Sequence, residues 1–392
     1  MNNIFNYFAP TEIVYGCGRA SETGAYTARY GKKALLVTMP EFPAIAALYA
    51  RVSESLKTAG VEVARFDGVI QNPTVDVVND GVKIARDFGA DVIVGLGGGS
   101  AMDAAKAIAV GATHPGSVWD YLHYTPGPTE NTLPIICVST TAGTGSQVTP
   151  CSVITKTENK DKSAIWHRNI FPKVAVVDPE ATKSMPPQIT AQTGFDAFCH
   201  NFEAYLSVSC NPLVEAMATD AITRVAAYLP RAVCDGNDME ARAEMAWADT
   251  LGGLTNASAG VTLPHGLGMQ VGGHCPGVTH GQALAIIYPQ FMRYTYASAI
   301  GKFATVGRIF NPELTGETNE SAAEKCCAEI DNFLKKIDLW LGFKDVNVTM
   351  DDIREIADCG QVLGDYKNNP RIATIDEMYD ILVRSYDRGN KV

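Results

Sequence analysis

The residues in this chain best suited to carry chemistry lie in its second half. Asp196 and His200 are spaced i, i+4 within Gly194-Phe195-Asp196-Ala197-Phe198-Cys199-His200-Asn201-Phe202-Glu203. On a helix that spacing puts both side chains on one face, a turn apart. Two further imidazoles, His265 in Leu263-Pro264-His265-Gly266-Leu267-Gly268 and His280 in Val278-Thr279-His280-Gly281, are each followed by glycine. One carboxylate and three imidazoles form a donor set that suits Fe(II) or Zn(II), and a set poor in cysteine points to catalytic rather than structural metal. A single Asp-x-x-x-His pair is commonly surface decoration, and a single histidine is commonly a hydrogen-bonded core residue. The joint pattern carries the reading.

Two small-residue turns in the first half suggest a phosphate-bearing ligand. Val92-Ile93-Val94-Gly95-Leu96-Gly97-Gly98-Gly99-Ser100-Ala101-Met102-Asp103 reads as a strand running into a helix. Three glycines let backbone approach a ligand, and the helix N-terminus then faces it. Ser100 is expected to cap that helix, with Asp103 completing a capping box. The pattern is only a near match to the dinucleotide fingerprint. A second turn, Ser139-Thr140-Thr141-Ala142-Gly143-Thr144-Gly145-Ser146, follows another strand. Ligands of open α/β sheets gather at such carboxyl ends, so two turns of this kind on one sheet point to a shared nucleotide site.

The elements that must position these groups fall into two textures. Strands are expected over 34–38, 62–66, 91–96, 135–140 and 174–178, alternating with helices over 45–59, 75–88 and 101–110. That order predicts a parallel, Rossmann-like sheet covered by helices. After Pro186-Pro187 the pattern turns helical, over 189–206, 212–229, 241–257, 321–336 and 350–358. The expectation is an α/β dinucleotide-binding domain over 1–183 and an all-α metal-binding domain over 184–392; a chain of 392 residues is long enough for both.

Composition narrows the partners. The net charge of −11 argues against electrostatic binding to nucleic acid or an anionic membrane. No apolar run approaches the roughly 18 residues that would span a bilayer, and the N-terminus lacks the pattern of a signal peptide. Ten cysteines without a C-x-x-C pair read as reduced thiols. A cytoplasmic location is therefore expected.

Taken together, these motifs resemble the iron-dependent (group III) alcohol dehydrogenases. The resemblance rests on Gly97-Gly98-Gly99-Ser100-Ala101-Met102-Asp103-Ala104-Ala105-Lys106, on Thr140 to Ser146 followed by Gln147, and on Asp196-x-x-x-His200 with the two later histidines. It also rests on the stretch from Phe8 to Gly18 and on Gln71-Asn72-Pro73-Thr74, and it covers nearly the whole chain. It implies that Asp196, His200, His265 and His280 bind one metal ion, Fe(II) or Zn(II), facing a nicotinamide across a cleft. It implies cofactor contacts at Asn72, Gly98, Gly99, Ser100, Thr140, Thr141, Thr144 and Lys162, beside Gly97 and Asp103 of the same turn. The implied reaction is hydride transfer between NAD or NADP and a primary alcohol, small diol or aldehyde whose oxygen the metal polarises. The small-molecule substrate is the expected partner, and a homodimer or larger homo-oligomer is implied.

This chain departs from the family pattern in three places. The last two ligand histidines are fifteen residues apart, where the family usually shows fourteen, which suggests a one-residue insertion. The histidine that many members place four residues after the first of the pair is missing, since Leu267-Gly268-Met269-Gln270 fills that stretch. His274 is the candidate replacement, and otherwise the proton leaves through water or a cofactor hydroxyl. At the end of the first strand stands Thr38-Met39-Pro40, where NAD-preferring members often carry Asp. Met39 is thus expected near the cofactor ribose, and the choice between NAD and NADP stays open. The competing readings are other enzymes of the same fold (glycerol dehydrogenase, maleylacetate reductase, a dehydroquinate synthase-like lyase), a nucleotide-binding protein with a structural metal, and a non-haem iron oxygenase.

Overall fold

A computed structural model describes residues 4–124 and 127–388. It divides into two compact units, Phe8–Pro186 and Pro187–Val392, with residues 4–7 grouped with the second.

In the first unit the chain runs β1 (Glu12–Tyr15), α1 (Thr23–Thr27), β2 (Lys33–Val37), α2 (Pro43–Thr58), β3 (Glu62–Phe66), α3 (Val75–Phe88), β4 (Val92–Gly97), α4 (Gly99–Thr113), β5 (Ile135–Ser139), a hairpin of β6 (Cys151–Lys156) and β7 (Asp161–Trp166), and β8 (Val174–Val177). Six strands form one parallel sheet in the order β1-β8-β5-β4-β2-β3. β4 and β5 are apolar at almost every position and fully buried, as strands covered on both faces must be. After β3 the chain crosses back over β2 to lay down β4, so the order reverses between β2 and β4. The carboxyl ends at that reversal are where an open sheet receives ligand, and the first glycine-rich turn sits there.

Sequence periodicity found five of these strands to within a residue or so. It missed β1, which is four residues long at the sheet edge, and the β6–β7 hairpin, an antiparallel pair of mixed polarity apart from the main sheet. The capping box expected at Ser100 and Asp103 does not form. α4 starts two residues earlier, with Gly98 at its N-cap and no side-chain cap.

The second unit consists of α5 (Pro187–Leu206), α6 (Pro212–Cys234), α7 (Met239–Ala259), α8 (Leu263–His274), α9 (His280–Thr295), α10 (Ile300–Phe310), α11 (Asn319–Lys336), α12 (Met350–Asp358) and α13 (Ile375–Arg384). α5 is buried along most of its length, and Phe195, Phe198 and Phe202 make an aromatic spine with Tyr288 of α9. The opposite face of α5 is therefore free to present polar groups inward. No described helix is long and apolar enough to cross a membrane.

Candidate metal and nucleotide sites

The metal-type site is built from α5, α8 and α9. Asp196 lies mid-α5, His265 in the first turn of α8 and His280 at the first position of α9. One ligand atom from each lies within 4.8 Å of the others. Asp196 Oδ1 is 3.4 Å from His265 Nε2, 3.7 Å from His280 Nε2 and 3.6 Å from His200 Nδ1. The His200 ring lies against that of His265, with centroids 4.5 Å apart, while the ligand atoms gathered within 4.8 Å of one another among the described residues are those of Asp196, His265 and His280. The longer His265–His280 spacing has not displaced His265 from this cluster.

Asp196 Oδ1 and His265 Nε2 are buried and face each other, yet neither meets hydrogen-bond geometry with any described residue. Burying unsatisfied polar atoms is costly unless something binds between them. Ligand atoms converging from the Asp196 carboxylate and the His265 and His280 imidazoles, with His200 beside them, suit a divalent first-row cation. Burial by itself would raise the pKa of Asp196, but His200, His280 and His265 outweigh it and hold the carboxyl at about 2. Burial would likewise favour a neutral His265, but Glu203 and Asp196 prevail and lift its ring to about 10 in the metal-free protein.

Glu203 escaped the sequence reading. It is wholly buried on α5 and accepts from His265 Nδ1 at 2.6 Å, Thr262 N at 2.8 Å, Thr262 Oγ1 at 3.2 Å and the Tyr288 hydroxyl at 3.2 Å. It keeps the His265 proton on Nδ1 and turns Nε2 toward Asp196, the usual task of a carboxylate behind a metal-binding imidazole. The signal was available: Asp196, His200 and Glu203 fall at i, i+4 and i+7, one helical stripe. His274 does not join the cluster. It is the last residue of α8, nine after His265, or about 13 Å along the axis. Its Nδ1 faces the Gln270 carbonyl oxygen at 3.0 Å. The proton-relay role expected for it therefore has no geometric support.

In the sheet unit the two turns abut. A Cβ on Gly98 would lie 2.9 Å from Thr141 Cγ2, and one on Gly99 would lie 2.8 Å from Thr144 Cγ2, so glycine is required where the turns touch. Gly97 has φ 154, the region that favours glycine. Thr140 N donates to Gly97 O at 3.0 Å. Lys106, buried on α4, ties the arrangement together by donating to Ser146 O at 2.7 Å, Ser146 Oγ at 2.8 Å and Cys151 O at 2.6 Å. Asp103, expected as a cofactor contact, accepts instead from Ser146 Oγ at 2.6 Å and Val153 N at 3.0 Å, so both its oxygens serve to join the turns. Lys162 donates to Asn72 Oδ1 at 2.9 Å, and Asn72 holds φ 53. Asn72 Nδ2 and Thr141 Oγ1 are buried without a partner among the described residues, as polar groups awaiting a ligand would be. Met39 is partly buried against the core just beyond β2, and Ser100 lies in the first turn of α4.

Residues 10–179 match the family model described as iron-containing alcohol dehydrogenase, and residues 190–386 match the model of the C-terminal part of that family. A choline dehydrogenase of Bacillus subtilis is 40% identical over 83% of this chain and 81% of its own length. A 1,3-propanediol dehydrogenase of Klebsiella pneumoniae is 35% identical over 98% of this chain and 99% of its own. The crystal structure of an archaeal halo-thermophilic alcohol dehydrogenase from a Red Sea brine pool superposes with a TM-score of 0.94 at 35% identity, covering 98% of this chain and 100% of that one.

Proposed function

Because the chain belongs to the iron-containing alcohol dehydrogenase family, and is thereby an NAD-linked, metal-dependent alcohol dehydrogenase, we propose the division of labour that carries the reaction. Asp196, His200, His265 and His280 hold one divalent ion. Gly97, Gly98, Gly99 and Ser100 receive the cofactor phosphates at the N-terminus of α4. Asn72, Thr140, Thr141, Thr144 and Lys162 contact the remainder, and Met39 borders the ribose. Asp103 and Lys106 hold the turns in register.

When bound, the metal supplies Lewis acidity to the alcohol or aldehyde oxygen and the nicotinamide supplies or takes up the hydride. Glu203 keeps the His265 Nδ1 proton away from the ligand side, and Asp196 contributes the negative charge that anchors a cation. With four protein ligands, coordination positions remain for a small substrate. Scattered thiols such as the buried Cys137, Cys199 and Cys326, whose pKa burial pushes up, suit a reducing cytoplasm. The homo-oligomer expected from the resemblance is part of the same reading.

The convergence of Asp196 Oδ1 with three imidazoles is the observation that supports this assignment above all. It is tested by stripping the metal with a chelator, restoring Fe(II) or Zn(II), and following alcohol-dependent NADH formation. The stripped protein and His280→Ala should both lose bound metal and at least about a thousandfold in kcat/KM. Full turnover without metal would defeat the assignment.

A further inference from the structure

Asp365 bears a charge that neither the metal cluster nor the nucleotide turns explain. It lies in the short 3₁₀ turn Gly364–Asn368. That turn is pinned by Asn368, whose Nδ2 donates to Val261 O at 2.9 Å and whose carbonyl accepts from Val208 N at 2.9 Å. Pinned there, the turn reaches the first turn of α8. A methyl group built on Gly266, the residue after His265, would come within 3.6 Å of Asp365 Cβ and 3.8 Å of its Oδ2. The Asp365 side chain is thus in van der Waals range of the residue that follows His265.

Among the described residues nothing donates a hydrogen bond to this carboxylate, and no lysine or arginine pairs with it. The charged groups it senses are His265 and Glu203. Burial pushes its pKa up to about 6, with Glu203 adding to the rise and His265 opposing it. With a divalent ion held by Asp196 and neutral imidazoles, the carboxylates of Asp196, Glu203 and Asp365 would together carry three negative charges against its two positive ones. One negative charge is left uncompensated. A half-buried carboxylate without a partner is unfavourable, and a cation brought against it is bound strongly.

We infer that Asp365 selects substrates carrying a positive charge close to the reacting carbon: small ammonium alcohols and their aldehydes, with the oxygen at the metal and the cationic nitrogen against the Asp365 carboxylate. This rests on the alcohol dehydrogenase reading and narrows its substrate class.

The test uses the full-length, metal-loaded protein with saturating NAD. It compares choline with its neutral isostere 3,3-dimethyl-1-butanol in wild type, Asp365→Asn and Asp365→Ala. The wild type should favour choline by about tenfold or more in kcat/KM, the scale of one charge-assisted contact. Both variants should reduce that ratio by about tenfold, mainly through the KM of choline. Calorimetric titration of choline into the NADH complex should show a matching rise in Kd. Metal content and Tm establish that the variants fold.

The inference is overturned if the wild type prefers the neutral alcohol, if both substrates fall in equal proportion, or if only the KM for NAD changes, which would make the nicotinamide the cation served. In those cases primary-alcohol turnover persists and the broader reading stands. Absence of turnover with every primary alcohol sinks that broader reading, while the titration still decides whether Asp365 holds the cation.

Discussion

The two sites of this protein are built on opposite principles. In the sheet unit the ligand-facing surface is largely backbone. Gly97, Gly98 and Gly99 and the hydroxyl turn after β5 are continuous stretches, each at the end of one strand, and side chains such as Lys106 and Asp103 act behind them. In the helical unit the surface is all side chain, contributed by three helices, and its shape depends on a carboxylate–imidazole relay behind it. The first design tolerates substitutions that leave the turns in place. The second has no redundancy, because each of its atoms is a separate ligand.

Three perturbations sharpen the contrast, two in the helical unit and a smaller one in the sheet unit. Glu203→Gln should weaken metal binding by about ten- to a hundredfold, because the amide no longer holds the Nδ1 proton as strongly. Competition against a chromogenic chelator measures this, and NADH affinity should not change. If metal affinity is untouched, Glu203 is a packing residue only.

The second perturbation is pH. His265 is raised from about 6.5 to about 10 in the metal-free protein. Its interactions therefore stabilise the metal-free fold fully below about pH 6.5 and are lost as pH rises through about 10. A metal must displace that proton. Apparent metal affinity should rise about tenfold per pH unit between about 7 and 10, with proton release visible as buffer-dependent binding heat. Affinity independent of pH over that window would contradict the assignment of His265.

The smallest effect is expected in the sheet unit. Lys106→Met removes the ammonium that donates to Ser146 O, Ser146 Oγ and Cys151 O and should cost about 2 kcal/mol of stability. Seen as a lowered Tm, it should come with a several-fold weaker NADH Kd and unaltered metal stoichiometry. A change in metal content would show that the two sites are not independent.

How much was legible from sequence divides along the same line. The glycine and hydroxyl turns are contiguous, and their neighbouring strands are nearly pure apolar runs, so the sheet could be read locally. α8 could not. Its Gly266, Gly268, Gly272 and Gly273 lower helix propensity, so local residue type gives no sign of this helix. Gly266 lies beside Asp365 and Gly268 beside His280, contacts that no local sequence pattern announces. Glu203 and Asp365 were hidden for a related reason. One is a familiar acid on a buried helix and the other lies in a turn ninety-nine residues beyond Gly266, and neither has a local signature.

The amino-acid order alone determined the main strands and most of the long helices, the family, and the candidate metal-binding residues, because residue type and short-range spacing fix helix faces and turn chemistry. Only the tertiary structure decided that Asp103 bonds Ser146 and Val153 instead of capping a helix, that His274 sits at the far end of α8 from His265, and that Glu203 bonds His265 while Asp365 lies beside Gly266. Hydrogen-bond partners and uncompensated charge depend on distances between segments far apart in the chain, and those distances exist only after packing.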